Sequence, residues 1–216
     1  MNCKRIEFVE KVFREAPQYW WGDWMDVRFY LRERLSELQG MRVADVGCGA
    51  GLLDDALASS NSVIGVDTDS DSIAKARKRV PRARFIKGNS KKLSSGSFDV
   101  VIYSNLIEMV EDKPALLKEA ARLLKPGGTL LLTTPNSAHP CYRGKPKLGY
   151  EELNSLLKPF FDFEVHGWNP FPPWPFFLPN RVLARVPGWY SFLKWLCESG
   201  RFPRSSKYFF VEAKKR

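Results

Sequence analysis

Cysteine and histidine are scarce in this chain. Its 216 residues hold four cysteines (Cys3, Cys48, Cys141 and Cys197) and two histidines (His139 and His166). No cysteine pair has C-x-x-C spacing, so a structural zinc site is not expected, and neither is a disulfide scaffold. No stretch approaches the roughly 18 consecutive apolar residues of a membrane-spanning helix. The opening segment Met1-Asn2-Cys3-Lys4-Arg5-Ile6-Glu7 has basic residues but no apolar run after them, so no secretory signal is expected. Internal repeats and low-complexity tracts are also missing. Together these absences point to a reducing, cytoplasmic setting.

Acidic residues are the minority, 24 against 34 Lys and Arg, giving a formal charge of +10 and a pI near 9.5. The excess is uneven. Residues 1–40 balance seven basic against seven acidic side chains, 41–136 carry 14 against 11, and 137–216 carry 13 against 6. A polyanionic partner is one reading of such charge, but composition alone does not choose between nucleic acid and membrane. With 44% hydrophobic residues there is enough apolar material for one folded domain.

Three regions are expected within that single domain: an N-terminal helical cap (1–40), a core of alternating strands and helices (41–136) and a C-terminal region (137–216) with an aromatic and proline-rich insertion near 168–205. Val27, Leu31, Leu35 and Leu38 recur at helical spacing in the cap. Short apolar runs at 43–46, 63–66, 84–86, 98–103 and 129–134 read as strands. Helices are expected at 52–57, 70–79 and 113–124, with Lys125-Pro126-Gly127-Gly128 as a stop. Later come a helix near 149–158, a strand at 161–165, a helical stretch at 180–197 broken at Pro187-Gly188, and a last strand at 208–213. Strands alternating with helices imply a parallel sheet covered on both faces.

The most informative segment is Val43-Ala44-Asp45-Val46-Gly47-Cys48-Gly49-Ala50-Gly51, a strand entering a glycine-rich turn that opens a helix. Glycine allows positive φ and close approach of a ligand to the backbone. The spacing is G-x-G-x-G, whereas the dinucleotide fingerprint puts its last glycine one residue later. Asp67 follows at the end of the second strand, where a carboxylate can accept hydrogen bonds from ribose hydroxyls.

With these residues the chain resembles the class I S-adenosylmethionine-dependent methyltransferase family, closely over about 40–136 and in layout elsewhere. Asp45, Gly47, Gly49 and Gly51 match its first motif and Asp67 its ribose-binding acid. Gly88-Asn89-Ser90 matches the adenine loop, Ser97-Phe98-Asp99-Val100-Val101 the fourth strand, and Leu124-Lys125-Pro126-Gly127-Gly128 the turn before the fifth. The resemblance implies an α/β, Rossmann-like, seven-stranded, mostly parallel sheet with helices on both faces and the last strand antiparallel. It also implies S-adenosyl-L-methionine as cofactor, met by Asp45, Gly47, Cys48, Gly49, Gly51, Asp67, Thr68, Asn89, Ser90 and Asn105. Two positions depart from the pattern. Asn89 stands where relatives usually carry Asp, and Ile107-Glu108-Met109 where many carry Leu-Glu-His.

Methyl transfer to a hydroxyl needs a group to take its proton. His139, just past the fifth strand, is the candidate catalytic residue, and a solvated loop histidine is the bland alternative. Glu108 is a second candidate base; it otherwise begins or faces a helix. His166 is expected to be structural, Asp99 to anchor its strand, and Cys48 to fill space rather than act as a nucleophile. No Asn/Asp-Pro-Pro-Tyr run or Pro-Cys pair follows the fourth strand, which disfavours methylation of DNA bases. By the resemblance, Tyr19–Trp24 and residues 170–200 would form an aromatic acceptor pocket with a basic rim. The acceptor is therefore expected to be a small, partly apolar or anionic molecule, with O-methylation favoured. RNA methylation and non-catalytic cofactor binding are the alternatives. Residues 171–206 mix aromatics with Arg181, Arg185, Lys194, Arg201 and Arg204, a pattern suited to peripheral contact with an anionic membrane. Trp189, Phe192, Leu193 and Leu196 are expected to share one helical face.

Overall fold

The apolar runs become strands because their Val, Ile and Leu side chains can be buried on both faces of a sheet. The computed structural model describes Glu7 and residues 24–137, 139, 148–169, 186–200 and 203–216. Seven strands form one sheet: β1 (Arg42–Val46), β2 (Ser62–Asp67), β3 (Arg84–Lys87), β4 (Phe98–Ser104), β5 (Leu124–Pro135), β6 (Phe161–Trp168) and β7 (Tyr208–Lys215). Their order is β3-β2-β1-β4-β5-β7-β6. β1 to β5 run parallel, while β7 is antiparallel to both β5 and β6. The expected Rossmann-like sheet with an antiparallel last strand is present. The strand order reverses between β1 and β4, so the crevice at their carboxyl ends is where a ligand site belongs.

The described helices are α1 (Trp24–Ser36), α2 (Asp54–Leu57), α3 (Ser70–Arg79), α4 (Lys113–Leu123), α5 (Tyr150–Leu157) and α6 (Trp189–Glu198). On one face of the sheet, α1, α2 and α6 pack over Val43, Val63, Val100, Ile102 and Leu131. On the other, α4 and α5 pack over Ala44, Val46, Val101, Tyr103, Leu130 and Leu132. The alternation along β1, β4 and β5 is the period of two that sends successive side chains to opposite faces. α3 covers the β3 edge through Ile73, Ala76 and Phe85.

Three local expectations are corrected. Lys125-Pro126-Gly127-Gly128 does not separate α4 from the next strand; it is a bulge inside β5. Phe98 pairs with Leu124 and Val100 already pairs with Thr129, with Gly127 absorbing the excess chain at φ +71°. β6 continues three residues beyond Val165, because Trp168 is completely buried and pairs with Tyr208. His166 thus sits within the strand. The buried face of α6 is Tyr190, Leu193, Leu196 and Cys197, whereas Phe192 is 42% and Trp195 52% exposed. The apolar stripe is rotated by about one residue because Tyr190 packs on Phe29 and Trp168 and donates its hydroxyl hydrogen to Glu33 of α1. No described helix is long and apolar enough to cross a membrane.

Candidate functional site

The turn after β1 is built from three glycines in the left-handed region: Gly47 (φ +76°), Gly49 (φ +52°) and Gly51 (φ +72°). The Gly47 N–H donates to Val66 O at 2.8 Å and the Gly51 N–H to Cys48 O at 3.0 Å, which holds the turn against β2. The Gly49 N–H donates to Asp67 Oδ2 at 2.8 Å, and Asp67 Oδ1 accepts from the Asp69 N–H at 2.9 Å. The carboxylate is therefore fixed beside the turn, with lone pairs left for hydroxyl donors. Gly47 also abuts the loop after β4, since a Cβ there would lie 3.0 Å from Leu106 Cδ1.

Behind the turn lie two buried carboxyls. Asp45, on β1, is 2% exposed and Asp54, opening α2, is 0% exposed, and each carboxyl lies close enough to perturb the other. Asp45 Oδ1 and both Asp54 oxygens have no donor from the rest of the described structure. Two buried carboxyls side by side without outside donors disfavour the doubly ionised form. Burial, helped by the Asp67 charge and opposed by Arg28, pushes Asp45 up to about 7; burial and the Asp45 charge raise Asp54 well above the usual carboxylate range. Asp54 is outside the set read from the sequence. The available signal was an acid within a helix start whose other members, Leu52, Leu53, Ala56 and Leu57, are apolar.

The remaining cofactor candidates divide. Cys48 is 8% exposed and its side chain joins the cluster of Ile73, Ala76, Val80 and Phe85. Burial pushes its thiol far up, which removes the thiolate a nucleophile needs. This geometry gives the thiol a packing role. Thr68 is exposed beside Asp67. Asn89 is exposed past β3 and its side-chain oxygen accepts from the Lys91 N–H at 3.2 Å. Ser90 is 7% exposed and its hydroxyl bonds Glu119, itself paired with Arg122 at 2.7 Å. Of the two adenine candidates, Ser90 is thus turned inward and Asn89 outward. Asp99 accepts from the Arg42 N–H at 2.8 Å and pairs with Lys125 at 2.6 Å, so it anchors strands at the opposite end of the sheet.

Past β4, Asn105 adopts φ +54° although it is not glycine. Its N–H donates to Thr133 O at 2.8 Å and its Oδ1 accepts from Thr133 Oγ1 at 3.0 Å. Arg28 reaches in from α1, its Nε 3.4 Å from Ser104 Oγ. A short 3-10 turn at Ile107–Met109 then carries Glu108, whose Oε2 accepts from Thr134 Oγ1 at 3.0 Å. Burial raises the Glu108 pKa, against the Thr134 hydrogen bond and the Arg28 charge. Met109 beside it is 79% exposed.

His139 lies just beyond β5 and is 5% exposed, which overturns the solvated reading. Its N–H donates to Asn136 O at 3.0 Å, and the Asn136 amide is pinned by Arg204 O and Ser206 O at 3.1 and 2.7 Å. His166 packs against Phe210 and lies 3.5 Å from Glu164, a structural position. In the expected acceptor pocket, Tyr19–Asp23 and residues 170–185 lie outside the described residues, as do Arg201 and Phe202. No group of three potential metal ligands occurs among the described residues. A separate cleft of about 470 Å³ opens at the amino end of the sheet, between Arg34, Asp99, Lys125 and Glu212. Those four charges are already engaged in ion pairs, and the cleft is remote from the glycine turn.

Comparison with known proteins matches residues 44–132 to a family described as methyltransferase domain. Over 140 residues the chain is 34% identical to a ubiquinone biosynthesis O-methyltransferase of Xanthomonas oryzae pv. oryzae, covering 59% of this chain and 56% of that protein. The chain spans about 39 to 60% of the length of the first curated relatives it matches. Among solved structures, a SAM-dependent methyltransferase of Thermotoga maritima superposes over 98% of this chain and 100% of its own, with TM-score 0.63 and 20% identity. Phosphoethanolamine N-methyltransferase 2 of Haemonchus contortus, in complex with S-adenosyl-L-methionine, matches 87% of this chain and 51% of its own, with TM-score 0.62 and 22% identity. At these identities the structural matches speak for the fold.

Proposed function

We propose that the chain, whose residues 44–132 match a methyltransferase domain, is a class I S-adenosylmethionine-dependent enzyme that methylates a hydroxyl of a small, partly apolar acceptor. The observation that carries the reading is the hydrogen bond from the Gly49 N–H to Asp67 at the point where the strand order reverses. It joins a glycine turn that admits a ligand to an acid that can hold a ribose.

The residues present fit the cofactor. Three glycines at positive φ let a ligand approach the backbone of the turn closely. Buried carboxyl oxygens of Asp45 and Asp54 with no donor from the protein suit the neighbourhood of a cationic amino acid. Asp67 would take the ribose hydroxyls, the glycine turn the methionine portion and Asn89 the adenine edge. When bound, the cofactor supplies a methyl group on positively charged sulfur, already activated for in-line displacement. The chain then has to align the acceptor and exclude water. Leu106 and the exposed Met109 provide an apolar surface on the acceptor side. The similarity to a ubiquinone biosynthesis O-methyltransferase supports oxygen as the acceptor atom.

The test is calorimetric titration with S-adenosylmethionine, followed by transfer of radiolabelled methyl to extract separated into lipid, small-molecule and RNA fractions. Wild type should bind, Asp67→Ala should bind at least about tenfold more weakly for lost charged hydrogen bonds, and label should enter the lipid or small-molecule fraction. Absent binding, or undiminished binding by Asp67→Ala, overturns the cofactor assignment. Label confined to RNA overturns the acceptor class.

A further inference from the structure

A hydroxyl acceptor loses its proton as it gains a methyl group, and the crevice offers three groups at which that proton could arrive. His139 is enclosed at 5% exposure on the far side of the end of β5. The Asp45–Asp54 pair is sealed behind the glycine turn. Glu108 differs from both. It is half-buried, on the turn that leaves β4, the strand next to the cofactor strand β1. Its Oε2 accepts from Thr134 Oγ1 at 3.0 Å, which fixes the carboxylate. Its chain neighbour Met109 is 79% exposed, an apolar surface directly beside a carboxylate.

Resting on the methyl-transfer reading above, we infer that Glu108 is the general base, its carboxylate taking the proton of a phenol-like acceptor whose ring lies on Met109. In the step, the acceptor O–H bond gives its proton to Glu108 as the oxygen forms a bond to the methyl carbon. The carbon–sulfur bond breaks with its electron pair staying on sulfur, and Glu108 later returns the proton to water. The surroundings suit this role. Burial strengthens the carboxylate as a base, while Arg28 from α1 and Thr134 from β5 pull the other way. The arrangement is supported from three elements: α1, the β4 turn and β5.

The experiment uses two soluble probes, catechol and 4-nitrocatechol, with radiolabelled S-adenosylmethionine. 4-Nitrocatechol is much the stronger acid and is already largely ionised near neutral pH, so it needs no base. Glu108→Gln should bind the cofactor as wild type does by calorimetry. It should lose about 100-fold or more in kcat on catechol, the usual contribution of a general base, and retain most of its rate on 4-nitrocatechol. The rising limb of the pH–rate profile on catechol should vanish in the variant. His139→Gln, run in parallel, should show no such selectivity between the probes. Equal losses on both probes, or an unchanged catechol rate, overturn the assignment of Glu108. Selective rescue in His139→Gln instead moves the base there. Wild type that binds the cofactor yet methylates neither probe overturns the hydroxyl-acceptor reading and this inference with it. Should Glu108→Gln lose cofactor binding, Glu108→Asp decides the matter. It keeps the carboxylate but withdraws it, so partial recovery of binding with a reduced catechol rate and an intact 4-nitrocatechol rate supports the base, and uniform loss refutes it.

Discussion

Replacing Asp54 by Asn should stabilise the ligand-free protein, and more so at pH 8 than at pH 5. Burial and the Asp67 charge hold the Asp45 carboxyl well above its ordinary 3.8 in the folded state, against the Arg28 charge, and burial with the Asp45 charge does the same for Asp54. A raised folded pKa means the native state keeps a proton that the unfolded chain releases. The associated stability is complete below pH 4 and is lost as pH rises toward 7. The penalty grows by roughly 1.4 kcal/mol for each unit by which a folded value stands above the unfolded one. Asn at 54 removes one carboxyl and offers Asp45 an N–H donor, so about 1–3 kcal/mol of that penalty should be recovered. At this chain length that is roughly 2–4 °C in Tm per kcal/mol. Urea unfolding at pH 5 and pH 8 measures both proteins. Carboxylates with lowered values, such as Asp99 and Glu119, act in the opposite sense below pH 4. The variant-minus-wild-type difference cancels them because neither is altered. A variant that loses stability at pH 8, or gains equally at both pH values, would refute the account of two buried carboxyls held above their ordinary values.

Thr134→Val is nearly isosteric and removes the donor to Glu108. That donor holds the Glu108 pKa down, so the rising limb of the catechol pH–rate profile should move to higher pH, with cofactor affinity unchanged by calorimetry. Gly65→Ala should cost about 1–3 kcal/mol by thermal unfolding, because the new Cβ would sit 2.6 Å from the Phe85 ring and 2.9 Å from Cys48 Sγ. Leu193→Ala, at 1% exposure on α6, should cost about 2–4 kcal/mol by urea unfolding. Trp195→Ala on the outward side should cost far less, and the reverse ranking would refute the buried face assigned to that helix.

The cofactor half of this molecule was legible in its sequence because backbone conformation carries it. Gly47, Gly49 and Gly51 all need positive φ, and Asp67 needs only to end β2, the strand beside the turn. Both requirements are met within about 20 residues, so local spacing reports them. The strands were legible for a similar reason: β1, β2 and β4 are buried on both faces and read as continuous apolar runs. Features set by apposition were not. Asp54 looks like an acid in the first turn of a helix until the fold places it against Asp45. The bulge in β5 looks like a turn until Phe98 supplies a pairing partner for Leu124. The face of α6 could be read only to within a residue, because Tyr190 is drawn inward by Phe29, Trp168 and Glu33, which lie far away in the chain. The acceptor side is the extreme case. Arg28, Glu108 and Thr134 come from three elements with no common motif, and what relates them is the position of α1 over the carboxyl ends of β4 and β5. A backbone-made site can thus be recognised from residue types in order, while a site made by side chains from distant elements has to be read from their geometry. That is why the cofactor could be named from the glycine turn, while for a proton acceptor the residue order offered His139 first and Glu108 second without a way to choose.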